Sequence, residues 1–141
     1  NTKNLPGIVQ MIRDEKADFM LGSRMARARE NGMPWWKFIG NRFLTKLQNY
    51  IYGTNLSELH SGLRAFRSDI LAKMPYNTFS DDFVFDSECI AWLVAQKATI
   101  KEWPVDCYYH KNASSIDLAR SIRYGLASLK VLLKFKRGGY H

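Results

Sequence analysis

Cysteine is scarce: Cys89 and Cys107 are the only two in 141 residues, and they form no close pair. That excludes a disulfide-stapled scaffold. Both read as reduced core residues, and the chain as cytosolic. No apolar run approaches the ~20 residues of a membrane-spanning helix, and no secretory signal pattern is present. Internal repeats and low-complexity tracts are absent too, which excludes a repeat array. Acid is in short supply, with 13 Asp and Glu against 21 Lys and Arg, a net charge of +8 and a pI near 9.6. Such a balance favours an anionic partner: nucleic acid, a phosphorylated substrate or an acidic membrane surface. Nor is there an initiating Met. The sequence starts at Asn1 in mid-polypeptide, so it is expected to be part of a longer protein.

What is present is enough to bury a core. Hydrophobic residues make up 46% of the chain, and its length fits one domain. Asn4 reads as a helix cap with Pro6 in the first turn, and Ile8, Val9, Met11 and Ile12 recur at helical spacing. Ala17 to Gly22 suits a buried strand, and Ser23 to Met33 a basic loop with Arg24, Arg27 and Arg29. Trp35 to Tyr52 is an amphipathic helix closed by Gly53. Trp36, Ile39, Phe43, Leu47 and Tyr50 fall on one face, and Lys37, Asn41, Thr45 and Gln48 on the other. At i, i+4 spacing Lys37 and Asn41 can serve one ligand, although a solvated polar face has the same pattern.

The stretch Glu58-Leu59-His60-Ser61-Gly62-Leu63-Arg64-Ala65-Phe66-Arg67 joins a polar turn to a strand that alternates apolar and cationic residues. Gly62 lets the backbone turn, or approach a ligand closely. The local pattern fits an anion site and an ordinary loop-to-strand junction alike. Ser68 is expected to cap a short helix ending before Pro75. A further helix spans about Phe83 to Lys97, with Phe85, Cys89, Trp92 and Leu93 on its core face and Asp86 and Glu88 in its first turn. Carboxylates there also complement the helix dipole. Thr99 to His110 is strand interrupted at Pro104, which suggests a sheet edge. Ser115 can cap a last helix that carries Leu118, Ile122, Leu126, Leu129, Leu132 and Leu133 on one side. Arg120, Arg123, Lys130, Lys134 and Arg137 gather on another side, the pattern of a membrane-surface helix or of a terminal helix on the core. Helices alternating with short strands give an α/β fold. The expected division is 1–114 for the domain and 115–141 for the basic helix and tail.

Five blocks in order carry a resemblance. They are Ala17-Asp18-Phe19-Met20-Leu21-Gly22-Ser23-Arg24, Asn31 to Lys37 leading into Ile39-Gly40-Asn41-Arg42, the Glu58–Arg67 stretch, Phe83-Val84-Phe85-Asp86-Ser87-Glu88, and Ile100-Lys101-Glu102-Trp103-Pro104-Val105. Together they resemble the C-terminal, acceptor-side half of family 2 glycosyltransferases of GT-A fold. The nearest likeness is to polyprenyl- or dolichyl-phosphate sugar synthases. The resemblance implies an incomplete Rossmann-like domain. It also implies transfer of a hexose from a GDP- or UDP-linked sugar to a polyprenyl phosphate, peripherally, at the cytosolic membrane face.

Residue by residue, the resemblance makes Arg24, Lys37, Asn41, Ser61, Arg64 and His110 the acceptor-phosphate site, and Asp86 and Glu88 the pair near the reaction centre. Glu58 stands where the family has Asp, Leu63 where it has Phe, His110 where it commonly has Arg and Ala113 where it often has Gly. The family holds Mg or Mn on an Asp-x-Asp motif, and no Asp-x-Asp occurs in this sequence. The chain alone is therefore expected to be inactive. A lipid phosphate needs no general base, whereas a sugar-hydroxyl acceptor would make Asp86 or Glu88 the base. Polysaccharide synthesis on a sugar hydroxyl and a basic nucleic-acid-binding module are the alternatives; no nucleic-acid motif is present. Oligomeric state is left open.

Overall fold

β1 (Phe19–Ser23) is buried along its whole length, as its unbroken apolar run requires of a central strand. A computed structural model describes residues 5–14, 16–28, 30–82, 84–105 and 118–140. β1 is flanked by β2 (Arg64–Phe66), antiparallel with Phe19 opposite Phe66, and by β3 (Ile100–Pro104), parallel with Phe19 opposite Ile100 and Ser23 opposite Pro104. The order is β2-β1-β3, so the described residues form a mixed three-stranded sheet within an α/β fold. Pro104 lies on the outer strand, where a missing N–H is tolerated; the next residue, Val105, donates to the Ser23 carbonyl instead.

The two faces of β1 organise the cores. Met20 packs with Ile8 of α1 (Leu5–Arg13), Ala17 and Trp103. Phe19 and Leu21 face the larger cluster. That cluster takes Tyr52 from α2 (Trp35–Tyr52), Cys89 to Leu93 from α4 (Phe85–Ala95), and Val131 and Leu132 from α5 (Leu118–Lys136). α4 is buried from Ser87 to Leu93 without a solvent face, because the sheet and α5 enclose it. Free Cys89 sits there, and burial pushes its thiol up to about 11.

Three local expectations change. Ser68 is the first residue of α3 (Ser68–Lys73); Arg67 holds the cap position without a side-chain cap bond, because a guanidinium has no acceptor to offer the helix N–H groups, and it pairs with Asp18 and Asp69. Gly62 has a φ outside the left-handed region, and a Cβ there would meet nothing within 4 Å. The turn therefore does not demand glycine, and only close approach from outside the described residues could. The third change is α2. Of its expected apolar stripe, Ile39, Phe43 and Tyr50 are exposed, Trp36 is half-buried and only Leu47 packs against the core, while Thr45 and Gln48 are buried. For Thr45 the cause is polar: it holds Asn41, which serves the buried Glu58 carboxylate, and the turn after the helix needs partners as well. Asn49 supplies them to the turn, donating to the Leu56 carbonyl at 2.8 Å and accepting from Leu56 N–H at 3.1 Å.

Gly53 closes α2 at φ 68°, as expected. α4 ends differently, with Lys97 at φ 56°. Lys97 N–H donates to Val94 and Ala98 N–H to Leu93, which together form a Schellman cap. A left-handed lysine is strained, so Lys97→Gly is expected to stabilise the fold by about 1 kcal/mol. Chemical denaturation checks this, and a destabilised variant would show that the Lys97 side chain contributes more than its backbone costs. The boundary at 114/115, the caps at Asn4 and Ser115, Cys107, and the strand beyond Val105 lie outside the described residues.

Candidate functional site

Glu58 is the centre of the site and is fully buried. Arg24 meets it with both backbone and side chain. Its N–H donates to Oε2 at 2.7 Å, its Nε to Oε1 at 3.0 Å, and its Nη2 also donates to Oε1. The same Nη2 donates to the His60 carbonyl at 3.0 Å. Asn41 Nδ2 donates to Glu58 Oε1 at 2.8 Å, and Thr45 Oγ1 donates to Asn41 Oδ1 at 3.1 Å, which fixes the amide orientation. Below this layer Glu102 on β3 accepts from Ser57 N–H at 2.8 Å and Glu58 N–H at 3.0 Å. The sheet, the 57–60 loop and α2 are thereby tied at one point.

A cleft of about 430 Å³ opens between α2 and α5 beside this cluster. Arg24, Lys37, Asn41 and His60 contribute its polar lining; Trp36, Phe43, Leu44, Ile122, Leu126 and Leu129 contribute apolar walls. The helices approach closely where Gly125 faces Leu44; a Cβ on Gly125 would stand 3.6 Å from Leu44 Cδ1. Lys37 has no carboxylate in ion-pair range among the described residues. Partial burial, and then the neighbouring Arg24 charge, hold its ammonium below the usual lysine range. An anion in the cleft would relieve both effects.

The other residues singled out by sequence divide. Arg64 is nearly buried. It donates to Ser61 O and Asp86 O, both at 2.9 Å, and pairs with Asp86 Oδ1 at 3.2 Å. It braces the loop against α4 and does not line the cleft. Ser61 is buried in its own turn, accepting from Leu63 N–H. Asp86 is partly exposed; burial raises its carboxyl and Arg64 opposes the rise. Glu88 faces elsewhere, accepting from Ser80 N–H at 2.6 Å and Tyr140 Oη at 3.1 Å, with Lys134 at 3.7 Å. It ties the turn after α5 to α4. His110 lies outside the described residues.

Tyr124, which sequence reasoning passed over, and His60, which it placed in the polar turn without a site role, complete the wall. His60 Nδ1 and Tyr124 Oη are 2.7 Å apart, while Ser87 Oγ reaches Tyr124 Oη at 3.4 Å and Ser128 Oγ at 3.2 Å. Nothing local marks this seam, because it joins segments 37 to 64 positions apart. His60 is held neutral: burial, then Arg64 and Arg24, bring it down to about 3. The unfolded chain therefore takes up a proton near pH 6.5 that the folded chain refuses. Stability is expected to fall as pH drops from about 6.5 toward 3, with a slope approaching ~1.4 kcal/mol per pH unit. Urea titrations of His60→Phe should show a flatter profile; an unchanged slope would place the acid sensitivity elsewhere.

The described residues thus place a buried Arg24–Glu58 pair beneath a cleft with apolar walls and a cationic Lys37 on its lining. Comparison with known proteins adds the chemistry. The chain is 33% identical over 118 residues to a low-salt glycan biosynthesis hexosyltransferase of Haloferax volcanii, covering 82% of this chain and 28% of that protein. It is 25% identical over 129 residues to the UDP-N-acetylglucosamine–dolichyl-phosphate N-acetylglucosaminyltransferase of Methanococcus voltae, covering 88% and 51%. An uncharacterised protein of Methanocaldococcus jannaschii is 30% identical over 114 residues, covering 80% and 47%. The chain thus spans between about a quarter and a half of these relatives, of which two are named glycosyltransferases. No family model matches it, and no solved structure matches it significantly.

Proposed function

We propose that this chain forms the acceptor side of a hexosyltransferase that moves sugar from a nucleotide sugar, GDP- or UDP-linked, to a polyprenyl or dolichyl phosphate. The observation that carries the reading is the cleft, where isoprenoid-compatible walls lie beside Arg24, Lys37 and Asn41. The two named relatives support glycosyl transfer in general, and one of them a dolichyl-phosphate acceptor. Within this proposal the phosphate oxygen of the acceptor attacks the anomeric carbon. The bond from that carbon to the nucleoside diphosphate breaks, and the diphosphate leaves with the electron pair. No proton is removed, so the protein's task is to fix and screen an anion in line with the sugar. Lys37 meets the phosphate. Arg24, neutralised and aligned by Glu58, shapes the field around it. Arg64 holds Asp86 at the junction of loop and helix. The divalent ion that the resemblance implies, Mg or Mn, has no ligand set among the described residues, where no three His, Cys, Asp or Glu side chains converge. No step above is routed through it.

The test uses the complete protein with labelled UDP- or GDP-hexose and polyprenyl phosphate. Label is expected in the organic-extractable lipid. Label in a saccharide acceptor with none in lipid would overturn the phosphate acceptor and make partly exposed, proton-affine Asp86 the candidate base. No transfer from any nucleotide sugar would overturn the enzyme class.

A further inference from the structure

α5 is anchored unevenly. From Ala119 to Ala127 none of its residues is buried, and Ile122 and Leu126 are largely exposed. From Ser128 onward the helix is fixed to the core. Ser128 is fully buried, Val131 and Leu132 join the larger cluster, and the turn after the helix tucks Tyr140 in beside Glu88. The weakly anchored half is the one that supplies Ser121, Ile122, Tyr124 and Gly125 to the cleft. The body of the protein reaches that half at Tyr124, whose Oη lies 2.7 Å from His60 Nδ1 and 3.4 Å from Ser87 Oγ.

Gly125 stands near the boundary between the two halves. Its φ lies outside the left-handed region, so the backbone does not require glycine. Packing does not require it either, because a Cβ 3.6 Å from Leu44 Cδ1 makes an ordinary van der Waals contact and alanine would fit. Glycine inside a helix still shifts the local equilibrium away from helix by about fivefold relative to alanine. A small residue that weakens its helix, and that neither backbone nor packing demands, suits a hinge. Segments with few buried contacts are also the ones that open locally at low free energy.

We infer that the first two turns of α5 form a lid on the cleft, pivoting at Gly125 and latched by Tyr124 against His60 and Ser87. Opening the lid widens the mouth between α2 and α5. A ligand that touches both walls favours the closed arrangement, because its contacts with Ser121, Ile122 and Tyr124 exist only there. Only the choice of probe ligand below rests on the proposed transfer reaction; the lid itself is measured without ligand or turnover.

The experiment is pulsed electron–electron distance measurement on the complete protein, in a Cys107→Ser background with buried Cys89 left in place. Spin labels go on Arg123→Cys and Lys46→Cys, and for comparison on Lys130→Cys and Lys46→Cys; all three positions are exposed. Tyr124→Phe keeps the ring and removes the latch, and circular dichroism checks that it folds. It should raise the ratio of long to short Arg123–Lys46 separations by about 2- to 12-fold, the worth of one net hydrogen bond. Adding Gly125→Ala to Tyr124→Phe should reverse this by about fivefold. The Lys130–Lys46 separation should stay fixed throughout. Farnesyl phosphate, the probe, should return the long population to the short one, in the unsubstituted chain as well. A single Arg123–Lys46 separation that neither the substitutions nor the probe changes would overturn the lid. So would a Lys130–Lys46 separation that shifts in step, since α5 would then move as one body. Separations that respond to the substitutions, with no binding of farnesyl phosphate, would support the lid and count against the polyprenyl-phosphate reading.

Discussion

Glu58→Ala is expected to lower the unfolding free energy by about 3–5 kcal/mol, because it strands a guanidinium that the fold has already desolvated. Arg24 retains only 22% side-chain exposure and directs Nε, Nη2 and its own N–H at the Glu58 carboxylate. Asn41 would lose its acceptor as well. Glu58→Gln keeps the size and one acceptor oxygen, so its cost should be about half as large. For a chain of this length the Ala variant should melt roughly 10 °C lower. Urea denaturation with an unchanged m value would assign the loss to the folded state. A loss under about 1 kcal/mol would mean that water reaches the pair, and the cluster would then be no more than a surface salt bridge.

How much of this was legible in the sequence depends on the range of the interaction. β1, α2 with its Gly53 stop, α4 and α5 are short-range patterns of period or punctuation, and they stand where those patterns put them. The facing of α2 was not legible. Amphipathicity alone puts Trp36, Ile39, Phe43, Leu47 and Tyr50 inside; the structure keeps Leu47 against the core, leaves Ile39, Phe43 and Tyr50 exposed, and buries Thr45 and Gln48. The deciding fact, a buried carboxylate on a loop 17 residues beyond Asn41, is invisible to helical periodicity. The same holds for the site. Arg24, Lys37 and Asn41 were found through the order of blocks and do share one cleft. Arg64 came from the same pattern and proves to be saturated by backbone carbonyls and Asp86. A motif records which residue types occur together; it does not say which of them face the ligand and which brace the loop. Tyr124 carries no local signal at all, since its pairing with His60 exists only once α5 has folded back over the 57–60 loop.

Lys37→Ala in the complete protein is expected to lower kcat/KM for a lipid-phosphate acceptor by about 10- to 100-fold, the worth of one charge-assisted hydrogen bond of ~1.5–3 kcal/mol. The KM for the nucleotide sugar should hardly move. Lys37 is preferred over Arg24 as the reporter because Arg24→Ala also leaves Glu58 buried without its ion partner, so stability and binding would fall together. Removing Lys37 breaks no ion pair among those described, and only its stacking over the Trp36 ring, at 5.4 Å, is lost. The variant's melting temperature should therefore stay close to that of the parent. Lys37→Arg should recover part of the activity, since charge is what the phosphate needs. The pH dependence has a definite sign. Lysine binds phosphate only when protonated, and burial, then the Arg24 charge, hold its ammonium below the usual lysine range. Acceptor kcat/KM should thus fall as pH rises through that lowered value, earlier than for an ordinary lysine, and the alkaline limb should vanish in Lys37→Ala. A limb that persists in the variant, or an acceptor kcat/KM unchanged by it, would remove Lys37 from the site and leave the cleft without its phosphate contact.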